Sequence, residues 1–96
     1  MKISEMEKRA MKLFSLLSNS TRFMIIKILR VSDENVGTLA ELINKDESTI
    51  SKHLRLLRDL DIVSFKTNEN RVIYSLKKRE TLKLIIDAME CMKRTE

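Results

Sequence analysis

Ser48, Thr49, Ser51, Lys52 and Arg55 bring short hydroxyls and long cations together within one short stretch of chain. Such side chains reach base edges and phosphate oxygens when the end of a helix lies in the major groove of DNA. Their context is helical: between Asp46 and Leu60, Ile50, Leu54 and Leu57 recur at the helical period and form an apolar anchor. The polar group lies on the other face, near the N-terminal end, with Glu47 beside it. Asp46 has the right chemistry for an N-cap, accepting the orphan amides of the first turn. Catalysis is a poor match. One histidine, one cysteine and one glycine supply neither a phosphate-cradling loop nor a nucleophile with its base and orienting group. An enzyme is not expected.

The elements around this helix would present it. Thr38–Asn44 reads as a short amphipathic helix capped by Thr38, and only Lys45 separates it from Asp46. Two helices joined by so short a turn give a helix-turn-helix over residues 38–60. Ile62–Thr67 and Arg71–Leu76 alternate apolar and polar residues around Asn68-Glu69-Asn70, which predicts a β-hairpin over 62–76. Asparagine tolerates the left-handed backbone that a tight turn needs without glycine.

Upstream, Ile3, Met6, Ala10, Leu13, Phe14 and Leu17 make one apolar stripe within residues 1–17. Ser18-Asn19-Ser20 is a cap cluster, and Thr21–Val31 is apolar nearly all round, as a central core helix would be. Ser32–Asn35 reads as a polar loop leading through Val36-Gly37 into the helix-turn-helix. A last helix from about Lys78 to Lys93 carries Leu82, Ile85, Ile86, Met89 and Met92. The fold class is mainly α with a small β-hairpin: a winged helix-turn-helix of about five helices and a two-stranded wing, in one domain over residues 1–96.

The formal charge of +5 favours a polyanionic partner only moderately, because it is not focused on the reading helix. Lys45, Lys52, Arg55, Arg58, Lys66 and Arg71 are nearly balanced by Asp46, Glu47, Asp59, Asp61 and Glu69. Solvated helix faces explain most of the remaining lysines. No apolar run is long enough to cross a bilayer, and the charged N-terminal stretch lacks the apolar region of a signal peptide. A lone cysteine suits a reducing cytoplasm. No membrane partner and no cofactor are expected.

The outer helices call for a further partner. Each adds large aliphatic and Met side chains beyond what a three-helix core and hairpin need. A twofold dimer that pairs Met6, Leu13, Leu82, Ile85, Met89 and Met92 with their symmetry mates would cover them. The competing arrangement packs both stripes on their own core.

From Leu16 to Arg94 the chain resembles the ArsR/SmtB family of winged-helix repressors. Leu17–Leu29 is similar to the family's LADPTRLRILRLL opening, Ser48–Arg58 to its STVSHHLKVLR, and Ile62-Val63 to the GLV before its wing. The resemblance implies a homodimeric repressor that binds an imperfect palindrome and releases it when an effector binds. It implies base contacts from Glu47, Ser48, Ser51 and Lys52, and wing contacts from Lys66 and Arg71, with Asn68 and Asn70 secondary. Thr21 or Arg22 would add a backbone contact. Asp61 stands where the family usually has glycine; aspartate can adopt the left-handed cap there at some cost.

The family's metal sites are not preserved. Asp33–Gly37 offers no thiol where one family site has its cysteine cluster. The positions of the other site are Lys78, Glu80, Cys91 and Arg94, two of them cations. His53 reads as a packed or DNA-backbone-facing residue, since one histidine builds no metal site. Cys91 reads first as a small buried hydrophobe; a redox role or an intersubunit disulfide is its functional alternative. For the chain as a whole, the alternative is a winged helix used as a protein-interaction module that does not read DNA.

Overall fold

Side-chain caps set where four of the five helices begin. In the computed structural model, which describes residues 1–93, Ser4 and Glu7 form a reciprocal capping box at α1 (Glu5–Leu17). Asn19 accepts the amides of Thr21 and Arg22 at α2 (Ser20–Val31). Asn35 accepts the Thr38 amide at α3 (Val36–Ile43), and Asp46 the Thr49 amide at α4 (Glu47–Asp59). Each cap satisfies amides that a helix start leaves without a partner. Thr38 therefore lies inside α3 and is not its cap, because Asn35 reaches back to its amide from three residues upstream. The last helix, α5 (Glu80–Cys91), has no side-chain cap. It is shorter than the expected Lys78–Lys93.

The hairpin pairs β1 (Val63–Asn68) with β2 (Arg71–Leu76) in antiparallel register, from Val63↔Leu76 to Asn68↔Arg71. Asn68 belongs to the ladder, so the turn is the two residues Glu69 and Asn70 and not the three expected. Both have positive φ, 49° and 68°, the backbone of a tight hairpin turn that matches strand twist. Ile62, expected as a strand residue, instead joins helix to wing. Its amide donates to the Leu57 carbonyl, and its own carbonyl accepts from Lys77 and Lys78. Asp61 is left-handed, with φ 59°, as its position demands. The loop after α2 is more than a connection: Glu34 exchanges backbone hydrogen bonds of 3.1 and 2.8 Å with Tyr74 of β2.

The core is one cluster. Ile25, Ile26 and Leu29 of α2 meet Leu39 and Ala40 of α3 and the expected anchors Ile50, Leu54 and Leu57 of α4, closed by Ile62, Val63 and Leu76. Helix α2 is central, touching α1, α3, α4 and β2, although Met24 and Val31 on its outer side are exposed. The outer helices differ. Helix α1 buries no residue and α5 buries only Thr81.

The chain is correspondingly extended. Its Cα radius of gyration is 14.9 Å, against about 12.5 Å for a compact domain of this length. Its accessible surface is 7516 Å², roughly 1,800 Å² above that of a typical monomer of its mass. Among the described residues, no helix is long and apolar enough to cross a membrane.

Candidate nucleic-acid interface

Helix α4 is pinned from below and open above. Ile50, Leu54 and Leu57 are fully buried, which orients the helix about its axis. That orientation exposes Glu47, Ser48, Ser51, Lys52 and Arg55 and leaves Thr49 half-buried. The Asp46 carboxylate accepts the Thr49 amide at 3.0 Å and the Ser48 hydroxyl at 3.3 Å. Hydrogen bonds from Thr49, through its hydroxyl and its amide, hold the Asp46 carboxyl below the ordinary carboxylate range. Glu47 lies beside the start of α3: a Cβ built on Gly37 would stand 3.8 Å from its Oε2.

The wing places its cations near the tip. Arg71 opens β2 next to the turn, opposite Asn68, and Lys66 pairs with Ile73 farther down; both side chains are exposed. Among the described residues, Lys52, Arg55, Lys66 and Arg71 form no ion pair. The pairs present lie elsewhere: Glu5–Lys8, Asp61–Lys77, Lys83–Asp87 and Glu90–Lys93. Lys77 thus offsets one acidic charge beside the reading helix, weakly, since the pair is exposed and 3.4 Å long.

Two positioning contacts escape the sequence reading. The Arg58 guanidinium lies over the Phe65 ring, 4.5 Å from its centroid, and Phe65 meets its cross-strand partner Tyr74 at 5.8 Å. This stack of cation and rings ties the end of α4 to the wing. The seven-residue spacing of Arg58 and Phe65 carries no local signal, because a turn intervenes. The second contact joins Arg22 to His53, 3.2 Å between Nη1 and Nδ1. Arg22 is therefore engaged inside the fold and Thr21 is buried, while the amides of both, at the helix start where a DNA-backbone contact is expected, are donated to Asn19.

Cys91 is an exposed free thiol and not the buried hydrophobe expected of it, because α5 turns that face away from the core. Of the proposed interface residues, Met6, Met89 and Met92 are 68%, 56% and 80% exposed. Leu13, Leu82 and Ile85 are partly buried against their own core, so the stripes are shared between core and surface. At the family's metal positions the donor chemistry does not suit a metal ion. Lys78 donates its ammonium to the Leu60 carbonyl at 3.2 Å, capping the end of α4, while Arg94 lies outside the described residues. Among the described residues, no three His, Cys, Asp or Glu side chains converge.

Comparison with known proteins places this geometry in a family. The model of the bacterial regulatory protein arsR family matches residues 19–64, from the cap of α2 into β1. A cadmium resistance transcriptional regulatory protein CadC homolog of Staphylococcus aureus is 35% identical over 77% of this chain, which spans only 62% of that relative. The transcriptional activator HlyU of Vibrio cholerae is 30% identical over 88% of this chain and 82% of its own length. The solved structure of the transcriptional repressor BigR from Xylella fastidiosa superposes with a TM-score of 0.77 at 28% identity, covering 99% of this chain and all of that one. Fold, reading helix, wing and sequence agree: this chain belongs to the arsR family of bacterial regulatory proteins, a family of winged-helix transcriptional regulators and not of enzymes.

Proposed function

We propose that the protein is a homodimeric, sequence-specific DNA-binding repressor of the cytoplasm that recognises a palindromic operator. The observation that carries the reading is the outward face of α4. Hydroxyls and cations stand exposed there, free of ion pairs among the described residues, on a helix locked by three buried anchors. Glu47, Ser48, Thr49, Ser51, Lys52 and Arg55 read the major groove, and Lys66 and Arg71 grip the backbone from the wing. Ser48 and Ser51 discriminate modestly because hydroxyls both donate and accept; Lys52 and Arg55 reach guanine or phosphate. The relatives' names include a repressor and an activator.

The dimer rests on the outer helices. An excess of roughly 1,800 Å² of accessible surface exceeds the approximately 800 Å² per partner that a standard interface buries. Met6, Leu13, Leu82, Ile85, Met89 and Met92 form the surface that a twofold mate covers. Two reading helices about one DNA turn apart then match a palindrome.

The test is fluorescence anisotropy with a selected operator duplex and a scrambled one, across a salt series. Selective binding in the range of about 10⁻⁸ to 10⁻¹¹ M at physiological salt is expected. The Ser51→Ala/Lys52→Ala variant should lose selectivity. Arg71→Ala should weaken both duplexes alike and lower the salt slope by about 1. Equal, weak binding to every duplex in a wide operator selection would leave a protein-interaction module in place of this reading.

A further inference from the structure

Arg22 sits where three helices meet. Its amide donates to the Asn19 cap, which fixes its backbone in the first turn of α2. Its Nε donates to the Leu16 carbonyl at 2.6 Å, and its Nη1 lies 3.2 Å from His53 Nδ1 on α4. The Leu16 carbonyl is in the last turn of α1, where helix carbonyls lack intrahelical partners and carry the negative end of the helix dipole. Helix α1 has no basic residue of its own in that turn. One guanidinium from α2 supplies the missing donor and holds the reading helix with the same fork.

We propose that Arg22 and His53 are positioning residues that couple the end of α1 to the reading helix and thereby set the pose in which α4 meets DNA. The inference rests on the DNA-reading function proposed above and extends it to two residues that need not touch DNA. Guanidinium is only a donor, so the contact requires His53 to offer a bare Nδ1, with its proton on Nε2. Protonation puts a hydrogen on Nδ1 as well, and the contact becomes a clash of two donors and two positive charges.

The surroundings favour the neutral ring. Burial lowers the His53 pKa below the ordinary histidine value, and Arg22 from α2 and Lys45 from the α3–α4 turn lower it further. The sign follows: the coupling is complete above the unfolded pKa of about 6.5 and is lost as pH falls through the lower folded value. Because α1 also belongs to the proposed dimer surface, the same joint links the spacing of two reading helices to the subunit contact.

Two measurements on the full chain test this. Proton NMR follows the single imidazole in the wild type and in Arg22→Gln; operator affinity is then measured from pH 8 down to about 5.5. Removing Arg22 should raise the His53 pKa. Wild-type affinity should fall on the order of tenfold as the ring protonates, the scale of one charge-assisted hydrogen bond. His53→Asn, whose amide oxygen can occupy the place of Nδ1, should bind like the wild type at pH 8 and show no fall; His53→Leu should be weak throughout. If Arg22→Gln fails to fold, the His53→Asn and His53→Leu pair still decides.

An imidazole pKa indifferent to Arg22 would overturn the contact. Affinity that rises on acidification, and does so only with His53 present, would make His53 a phosphate ligand and overturn the positioning role. Selective binding untouched by all three variants sinks the coupling alone. A wild type that selects no duplex at any pH sinks the DNA-reading function itself, and with it the coupling's purpose.

Discussion

Two groups of helices in this chain are stabilised in different ways. Helices α2, α3 and α4 with the hairpin enclose a single apolar cluster, and their buried residues come from every one of those elements. Helices α1 and α5 also carry large apolar side chains, but none of these is fully buried; Leu13, Leu16, Leu17, Leu82 and Ile85 are only partly covered by the core. Helix α1 relies on local chemistry instead, a full capping box in which hydrogen bonds with the Ser4 amide and hydroxyl hold the Glu7 carboxyl below its usual range. Helix α5 lacks even a cap, and Thr81, its one buried residue, has no hydrogen-bond partner for its hydroxyl among the described residues. The inner group explains itself within one chain. The outer group leaves part of its apolar surface uncovered, which is why we propose it as the dimer contact.

Substitutions can break this contrast in order of size. Leu54→Ala strikes the inner group and should cost about 2–5 kcal/mol of folding stability, read by urea denaturation at fixed protein concentration. Ile86→Glu with Met89→Glu strikes the outer group. It should weaken self-association on the order of a hundredfold in sedimentation velocity while the circular dichroism spectrum stays helical; an unchanged sedimentation coefficient would return these stripes to the monomer. A pair of cap removals separates the groups at a finer scale. Asn19→Ala, at the helix that holds the core, should cost about 1 kcal/mol, whereas Ser4→Ala, at a helix without buried residues, should shift the denaturation midpoint less.

The smallest effect is proton-linked and lies at the reading helix. The Asp46 pKa is depressed in the fold, so its cap stabilises above the unfolded value of about 3.9 and is lost as pH falls through the folded one. The stability gap between wild type and Asp46→Ala, measured by urea midpoint, should therefore close on acidification below about pH 4. A gap independent of pH would mean that the cap works without its charge.

The parts read correctly from sequence share one property: their determinants are close in the chain. The Asp46 cap, the Ile50–Leu54–Leu57 anchor and the alternation of the hairpin are all local patterns. The left-handed Asp61 is a different case: it is expected from the resemblance, because the family usually has glycine at that position. The boundary expected at Thr38 falls instead at Asn35, placed in a polar loop by its neighbours' polarity although its side chain accepts the Thr38 amide. What escaped was tertiary. Glu34 meets Tyr74, Arg22 meets His53 and Arg58 meets Phe65 only after the chain has folded, and no periodicity announces them. Cys91 was misjudged for a related reason: its stripe signalled burial, but within one chain nothing lies over it.

The backbone pairing of Glu34 with Tyr74 gives the wing the mechanics of a clamped lever. Towards its root β2 is held on both sides: Tyr74 turns its amide and carbonyl to Glu34 in the loop that launches α3, while its ring meets that of its cross-strand partner Phe65. At its tip only the Glu69-Asn70 turn closes the strands. A load applied at Arg71 is therefore not absorbed by a hinge at the base; it is transmitted through Tyr74 to Glu34, one residue from the cap of α3. Wing and reading head should tilt as one rigid piece, with the Tyr74 amide exchanging slowly and the Asn70 amide fast in deuterium.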